Sequence, residues 1–185
     1  KIERESNCLP VQWGRAIDLL ESQIAQFSCD NYVDELRTEI SNNCKLRAAD
    51  KQGIYTLTVP TGGGKTYASL RYALHHAKTH NLDRIIYVIP FTSIIEQNAE
   101  AIREILKGDP DVQKWVLEHH SNLEPEEQTW QSKLVSENWD SPIVLTTSVQ
   151  LLEAMFSGGT KSVRRLHQLA KSVLIFDEIQ TLPIN

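Results

Sequence analysis

Apolar positions in the first fifty residues recur at helical spacing. Trp13, Ile17, Leu20 and Ile24 fall at i, i+4, i+7 and i+11, which predicts an amphipathic helix. A second helix is expected over Tyr32 to Cys44, with Leu36, Ile40 and Cys44 on one stripe, before Ala48 to Gly53 breaks the pattern. From Ile54 onward short apolar runs alternate with helical stretches. Ile54 to Val59 reads as a strand ended by Pro60 and three glycines, and a helix follows with Leu70, Ala73, Leu74 and Ala77 on one face. Arg84 to Ile89 is a second strand, cut by Pro90. Ser93 with Glu96 has the form of a capping box, opening a helix marked by Ile95, Ala99, Ile102 and Leu106. Val116 to His120 is a weaker third strand, and Pro125 opens another helix as proline at a first helical position does. Pro142 to Thr147 and Ser172 to Phe176 complete the strands. Between them lie a short helix over Val149 to Phe156, a Gly158-Gly159 break and a basic segment.

Five strands alternate with helices, and most are continuous apolar runs rather than one-sided alternations. That is the pattern of a parallel sheet covered on both faces, since a strand buried on both sides has no polar face to show. The expected fold class is α/β, mainly parallel, over residues 52–185, preceded by a helical arm over residues 1–51.

Composition narrows the picture. At 41% apolar and 23% charged residues the 185-residue chain suits one domain with a buried core. No run approaches the ~20 apolar residues of a membrane helix. The N-terminus, Lys1 to Ser6, has no apolar signal region and no initiator Met, so the chain reads as an internal piece of something longer. Cys8, Cys29 and Cys44 form neither a disulfide framework nor a zinc knuckle, which points to a reducing, cytoplasmic setting. The net charge of −5 supplies no general field for nucleic acid. It is unevenly spread: residues 96–140 carry 11 acids against 4 bases, which leaves the rest at +2. A nucleic-acid surface would therefore lie outside that stretch. Lys161, Arg164, Arg165 and Lys171 are one candidate, and a solvated helix face is the equal alternative.

The glycine-rich segment carries the chemistry. Pro60-Thr61-Gly62-Gly63-Gly64-Lys65-Thr66 stands between an expected strand and an expected helix, the setting in which a phosphate loop works. Glycines let backbone N–H groups cradle phosphate oxygens, and the helix N-terminus adds free N–H groups and a partial positive charge. Lys65 would pair with the β- and γ-phosphates of ATP, and the Thr66 hydroxyl would ligate Mg²⁺. The strict pattern asks for glycine at position 59, where this chain has Val59. Downstream, Val173 to Phe176 runs into Asp177 and Glu178. An Asp ending a buried strand in such a protein holds Mg²⁺, and the adjacent Glu takes the proton of the attacking water.

Three segments together resemble the first RecA-like lobe of superfamily 2 helicases, and more closely the helicase part of the CRISPR-associated helicase-nuclease of type I systems. They are Thr58 to Thr66, Pro90 to Gln97 and Asp177 to Gln180, with Thr146 to Gln150 where a further helicase motif is expected; the resemblance spans residues 52–183. It implies a RecA-like P-loop NTPase lobe using ATP and Mg²⁺. Thr61 to Thr66 and Gln180 would lie at the nucleotide, with Thr66 and Asp177 at the metal and Lys65 and Glu178 in catalysis. It further implies that Pro90, Thr92, Ser93, Thr146 and Thr147 meet the backbone of single-stranded DNA. Hydroxyls and amides at strand ends can do so without reading bases, although Ser93 as a helix cap and the threonines as strand fillers would need no ligand. By the same resemblance the parent works with a CRISPR RNA-guided surveillance complex. Its nuclease domain and second RecA-like lobe would lie outside these residues, leaving half an ATP site and little turnover in the piece alone. Two other readings stay open: a P-loop ATPase acting on proteins or small molecules, and a docking module with a vestigial loop. His75-His76 and His119-His120 are poorly placed to chelate one ion, since neighbours on a strand point to opposite faces and neighbours on a helix diverge by about 100°. Trp13, Trp115, Trp130 and Trp139 are scattered, as core residues are.

Overall fold

In the computed structural model residues 12–60, 62–119 and 138–181 are described. Thr61 and the helix expected after Pro125 lie outside them. The elements run α1 (Trp13–Ile24), α2 (Tyr32–Arg47), α3 (Lys65–His80), β1 (Arg84–Ile89), α4 (Thr92–Ile105), α5 (Pro110–Gln113), β2 (Val116–His119), β3 (Ile143–Thr147), α6 (Ser148–Phe156), α7 (Thr160–Leu169) and β4 (Ser172–Phe176), ending in a 3₁₀ turn, Ile179–Thr181. The strands form one parallel sheet in the order β2-β3-β1-β4.

Alternate residues of the central strands serve two cores. Ile85, Tyr87 and Ile89 of β1 and Ile143 and Leu145 of β3 pack with α1, α3 and α4. Ile86, Val88 and Val144 face the other way, against Trp139 and against Leu151 and Ala154 of α6. Both faces of the central strands β1 and β3 are thus covered, as their unbroken apolar runs require, whereas Leu174 and Phe176 of β4 stay exposed. The arm shares the larger core: Trp13, Ala16, Ile17 and Leu20 of α1 are buried with Leu70 and Leu74 of α3. Trp13 also donates its indole N–H to the Leu82 carbonyl at 2.7 Å. Trp115 packs partly buried against the same core, whereas Trp130 lies outside the described residues.

Three local expectations need correction. Ile54 to Val59 forms no strand; Ile54 is 99% exposed, and the backbone there pairs with no strand among the described residues. Among the described residues β4 pairs with β1 alone, so the segment does not join that open edge of the sheet. β-Branched propensity makes a strand only where a neighbour accepts its hydrogen bonds. The buried face of α2 is Ser41 and Cys44, continued by Ala48, while Leu36 stays exposed. Polar bonds to α3 turned the helix: Arg71 donates to Ser41 Oγ at 3.0 Å and to Asn42 Oδ1 at 2.9 Å, and His76 Nδ1 meets the Ala48 carbonyl at 2.8 Å. Finally, α4 starts at Thr92 with Phe91 as its cap and no side-chain cap bond, so Ser93 sits inside the first turn. No described helix is long and apolar enough to cross a membrane.

Candidate functional site

The glycine loop enters α3 with each glycine under a definite constraint. Gly62 and Gly64 have φ of +80° and +77°, the left-handed region that side chains resist. Gly63 is limited by space instead: a Cβ there would lie 2.2 Å from Val59 Cγ1 and 2.9 Å from the Pro60 carbonyl. Gly64 caps α3, whose first N–H groups have no acceptor within the helix and are therefore open to an anion. The loop is partly closed on itself, since the Gly63 amide donates to the Pro60 carbonyl at 2.9 Å.

The carboxylates arrive on the loop after β4. The Asp177 amide donates to the Val88 carbonyl at 3.0 Å, continuing the β1–β4 ladder one residue past the strand. Parallel strands end on one edge, so Asp177, Pro90 and Thr147 all stand at the carboxyl ends of neighbouring strands. Glu178 then takes φ of +49°, uncommon for a residue with a side chain. That turn aims it at the glycine loop: Lys65 Nζ donates to Glu178 Oε1 at 2.6 Å, across 113 residues of sequence. Gln180 donates to the other carboxylate oxygen, and the Glu178 amide donates to Asp177 Oδ1 at 3.1 Å. The bond to Glu178 raises the Lys65 pKa above the ordinary lysine value; burial opposes this, and the charges of Asp177 and Glu178 assist it. The same contact, with Gln180, holds the Glu178 carboxyl below its usual range.

Lys65, Thr66, Asp177, Glu178 and Gln180 thus lie in two loops joined by one ion pair. Thr66 donates its hydroxyl to Asn98 Oδ1 of α4 at 3.3 Å, a partner that its distance in sequence hid. Deeper in, Ser69 Oγ and the Tyr87 hydroxyl stand 3.4 Å apart beneath the loop. Burial pushes that phenol's pKa far up and keeps it neutral.

The residues expected at DNA divide. Pro90 is partly accessible, Thr92 starts α4 and Ser93 is exposed. Thr147 accepts the Gln150 amide at 3.2 Å as the cap of α6. Thr146 is fully buried and donates to the His119 carbonyl at 3.1 Å, so it braces β3 against β2 and offers nothing to a ligand. Arg165 of the basic segment binds Gln150 and His119, beside a cleft of about 460 Å³ lined also by Glu153, Ser157, Thr160 and Ser162. None of the residues expected at the nucleotide lines that cleft. His75 reaches Glu21 at 2.9 Å while His76 turns to the Ala48 carbonyl, so the two do not share a ligand.

With this geometry the chain is similar to the CRISPR-associated nuclease/helicase Cas3 of Haloferax volcanii, 30% identical over 150 residues that make up 70% of this chain and 16% of that protein. Its fold matches crystal structures of T. fusca Cas3 with ADP, at a TM-score of 0.70 and 18% identity, and with AMPPNP, at 0.69 and 19%. Each match covers 89% of this chain and 19% of the other, and at that identity it shows the fold: a RecA-like α/β lobe. The model of the DEAD/DEAH box helicases matches residues 42–183, more than three quarters of the sequence, and the chain belongs to that family.

Proposed function

We propose that this chain is the first motor lobe of an ATP-dependent, DNA-translocating helicase, part of a CRISPR type I nuclease-helicase that unwinds and degrades invading DNA in the cytoplasm. The observation that carries it is the 2.6 Å bond between Lys65 of the glycine loop and Glu178 of the acidic loop. Family membership and the likeness to Cas3 support the same reading. The proposed division is an arm over residues 1–51 and a lobe over residues 52–185.

The residues fit a nucleotide and its metal. The left-handed Gly62 and Gly64 shape a turn at the start of α3 that a side chain would resist, and Lys65, Thr66 and Asp177 offer an ammonium, a hydroxyl and a carboxylate around it. Gly62 to Thr66, with Thr61 outside the described residues, would hold the ATP phosphates, and Thr66 and Asp177 would hold Mg²⁺. ATP supplies the phosphoryl group passed to water, and the metal spreads the phosphate charge. Lys65 holds phosphate charge in place of the carboxylate it now binds. Glu178, released, accepts the water proton at Oε1. Gln180 keeps that carboxylate aimed and relays its state into the Ile179–Thr181 turn. Pro90, Thr92, Ser93 and Thr147 would meet single-stranded DNA at the same sheet edge, and a surveillance complex would deliver it. Thr146 would support them from beneath.

The test is titration of a fluorescent ATP analogue with Mg²⁺ into the wild type and Lys65→Ala, with melting curves of both. Binding lost with the fold retained is expected, the melting temperature falling only by the small worth of the partly exposed Lys65–Glu178 ion pair. Equal affinity removes the nucleotide assignment. In the longer parent, single-stranded DNA should stimulate phosphate release; an indifferent rate would favour a protein or small-molecule substrate.

A further inference from the structure

The arm also touches the glycine loop. Arg37 of α2 donates from Nε to the Gly62 carbonyl at 2.9 Å and from Nη1 to Asp34 Oδ1 at 3.0 Å. Asp34 is held in turn by Asn31 Nδ2 at 2.7 Å, and the Asn31 side chain caps the helix. Arg37 Cγ lies 3.8 Å from where a Cβ of Gly64 would stand, so the side chain passes along the loop on its arm side. A chain of contacts therefore runs from Asn31 through Asp34 and Arg37 to Gly62.

We propose that Arg37 is a positioning residue for the phosphate loop, holding the Gly62 carbonyl toward the arm so that the amides that follow stay presented to phosphate. The inference rests on the nucleotide reading of that loop. Its physical basis is the left-handed Gly62, which can rotate freely because it has no Cβ. A peptide unit that swings its carbonyl inward would set an oxygen where phosphate oxygens must sit. The loop's own Gly63-to-Pro60 bond does not hold the Gly62 carbonyl; the guanidinium does. Arginine suits the task because its rigid planar fork holds Asp34 and the carbonyl at a fixed spacing, whereas an ammonium is a single point charge on a flexible stem. The anchor is firm, since α2 is bound to α3 through Arg71, His76 and the His80 contact with the Asp50 carbonyl at 2.8 Å. The arm thereby gains a route to the nucleotide: tilting α2 on α3 would pull on Gly62 and alter affinity with no arm residue touching the ligand.

Two readouts on this chain test it. Hydrogen exchange in the nucleotide-free state should speed up in Arg37→Ala over residues 62–67 and leave the core helices unchanged. Affinity for the fluorescent ATP analogue with Mg²⁺ should fall about tenfold, the worth of a charge-assisted hydrogen bond, at an unchanged melting temperature. Arg37→Lys should recover little of it. Asp34→Asn should weaken binding in the wild type and add nothing in Arg37→Ala, because both act through one contact. Full recovery in Arg37→Lys would mean that charge alone matters, and unchanged loop exchange would mean that the carbonyl needs no holding; either overturns the proposal. A wild type that fails to bind the analogue while its loop exchange still depends on Arg37 would overturn the nucleotide reading instead, so the two failures are separable.

Discussion

Glu21 ties α1 to α2 and α3, and its removal has a calculable consequence. Its carboxylate accepts two bonds from the buried Arg71, from Nε at 2.8 Å and Nη2 at 2.6 Å. His75 Nε2 lies at 2.9 Å and Lys45 Nζ at 3.1 Å. Burial by itself raises the carboxyl pKa, but the bonds from Arg71, His75 and Lys45 outweigh it and bring the value from 4.5 to about 2. At 1.36 kcal/mol per unit the gap sets a ceiling of about 3.4 kcal/mol. The Glu21 side chain is 26% exposed, so solvent screening trims the expected contribution to roughly 2 kcal/mol. Because the folded pKa is depressed, this stability is complete above pH 4.5 and drains away as pH falls toward 2.

Glu21→Gln should therefore cost about 2 kcal/mol at pH 7, which for a domain of this size lowers the melting temperature by roughly 4–8 °C. The loss is of this size because Arg71, whose side chain is only 6% exposed, keeps Ser41 and Asn42 but loses its counter-charge. Urea titrations of both proteins at pH 7, 4 and 2.5 make the measurement. The difference should persist at pH 7, begin to shrink by pH 4 and be largely gone at pH 2.5. A difference that ignores pH would mean shape rather than charge holds the arm, and no difference at pH 7 would refute the network.

Three further substitutions test the site. In the longer parent, Glu178→Gln should keep nucleotide binding and lose phosphate release, since an amide cannot take the water proton, while Asp177→Asn should weaken the Mg²⁺ dependence of binding; wild-type turnover in Glu178→Gln, or an unchanged Mg²⁺ titration in Asp177→Asn, would reverse the corresponding role. Gly63→Ala forces a methyl to within 2.2 Å of Val59 Cγ1 and 2.9 Å of the Pro60 carbonyl, so the loop must reshape; calorimetry should show analogue affinity down about tenfold or more, with a stability loss of about 1–3 kcal/mol from the crowding, and wild-type affinity would refute the shape argument.

The sequence made most of this architecture legible, and the reason is burial. Leu70, Ala73, Leu74 and Ala77, and likewise Ile95, Ala99 and Ile102, are buried at the spacing their pattern announced. The runs in β1 and β3 lacked a polar face because both strands are buried on both sides. Signals failed where a partner, rather than an intrinsic preference, decides. Ile54 to Val59 has strand composition but no neighbour, and α2 followed the Arg71 bonds rather than its own apolar stripe. The glycine and acidic motifs could be found because their chemistry needs particular residues next to one another in sequence. Asn98 and Arg37 left no such trace: each is a single polar residue on a helix, and its meaning comes only from a loop 32 or 25 positions away.

The two loops at the sheet edge hold each other in a way that bears on how such a site is switched. Glu178 stands in left-handed backbone, a conformation that costs a residue with a side chain roughly 1–2 kcal/mol. The acidic loop follows β4, which among the described residues pairs only with β1 and where Leu174 and Phe176 are exposed at 40% and 43%. The bond to Lys65 fastens the loop across to α3, which is fixed in the larger core. A phosphate that drew Lys65 away would remove that fastening, while the bond from Gln180 to Glu178 would stay. Occupancy of the glycine loop can therefore reach the Ile179–Thr181 turn without any change in the core. The same lysine that would hold phosphate serves, before phosphate comes, as the latch on the acidic loop.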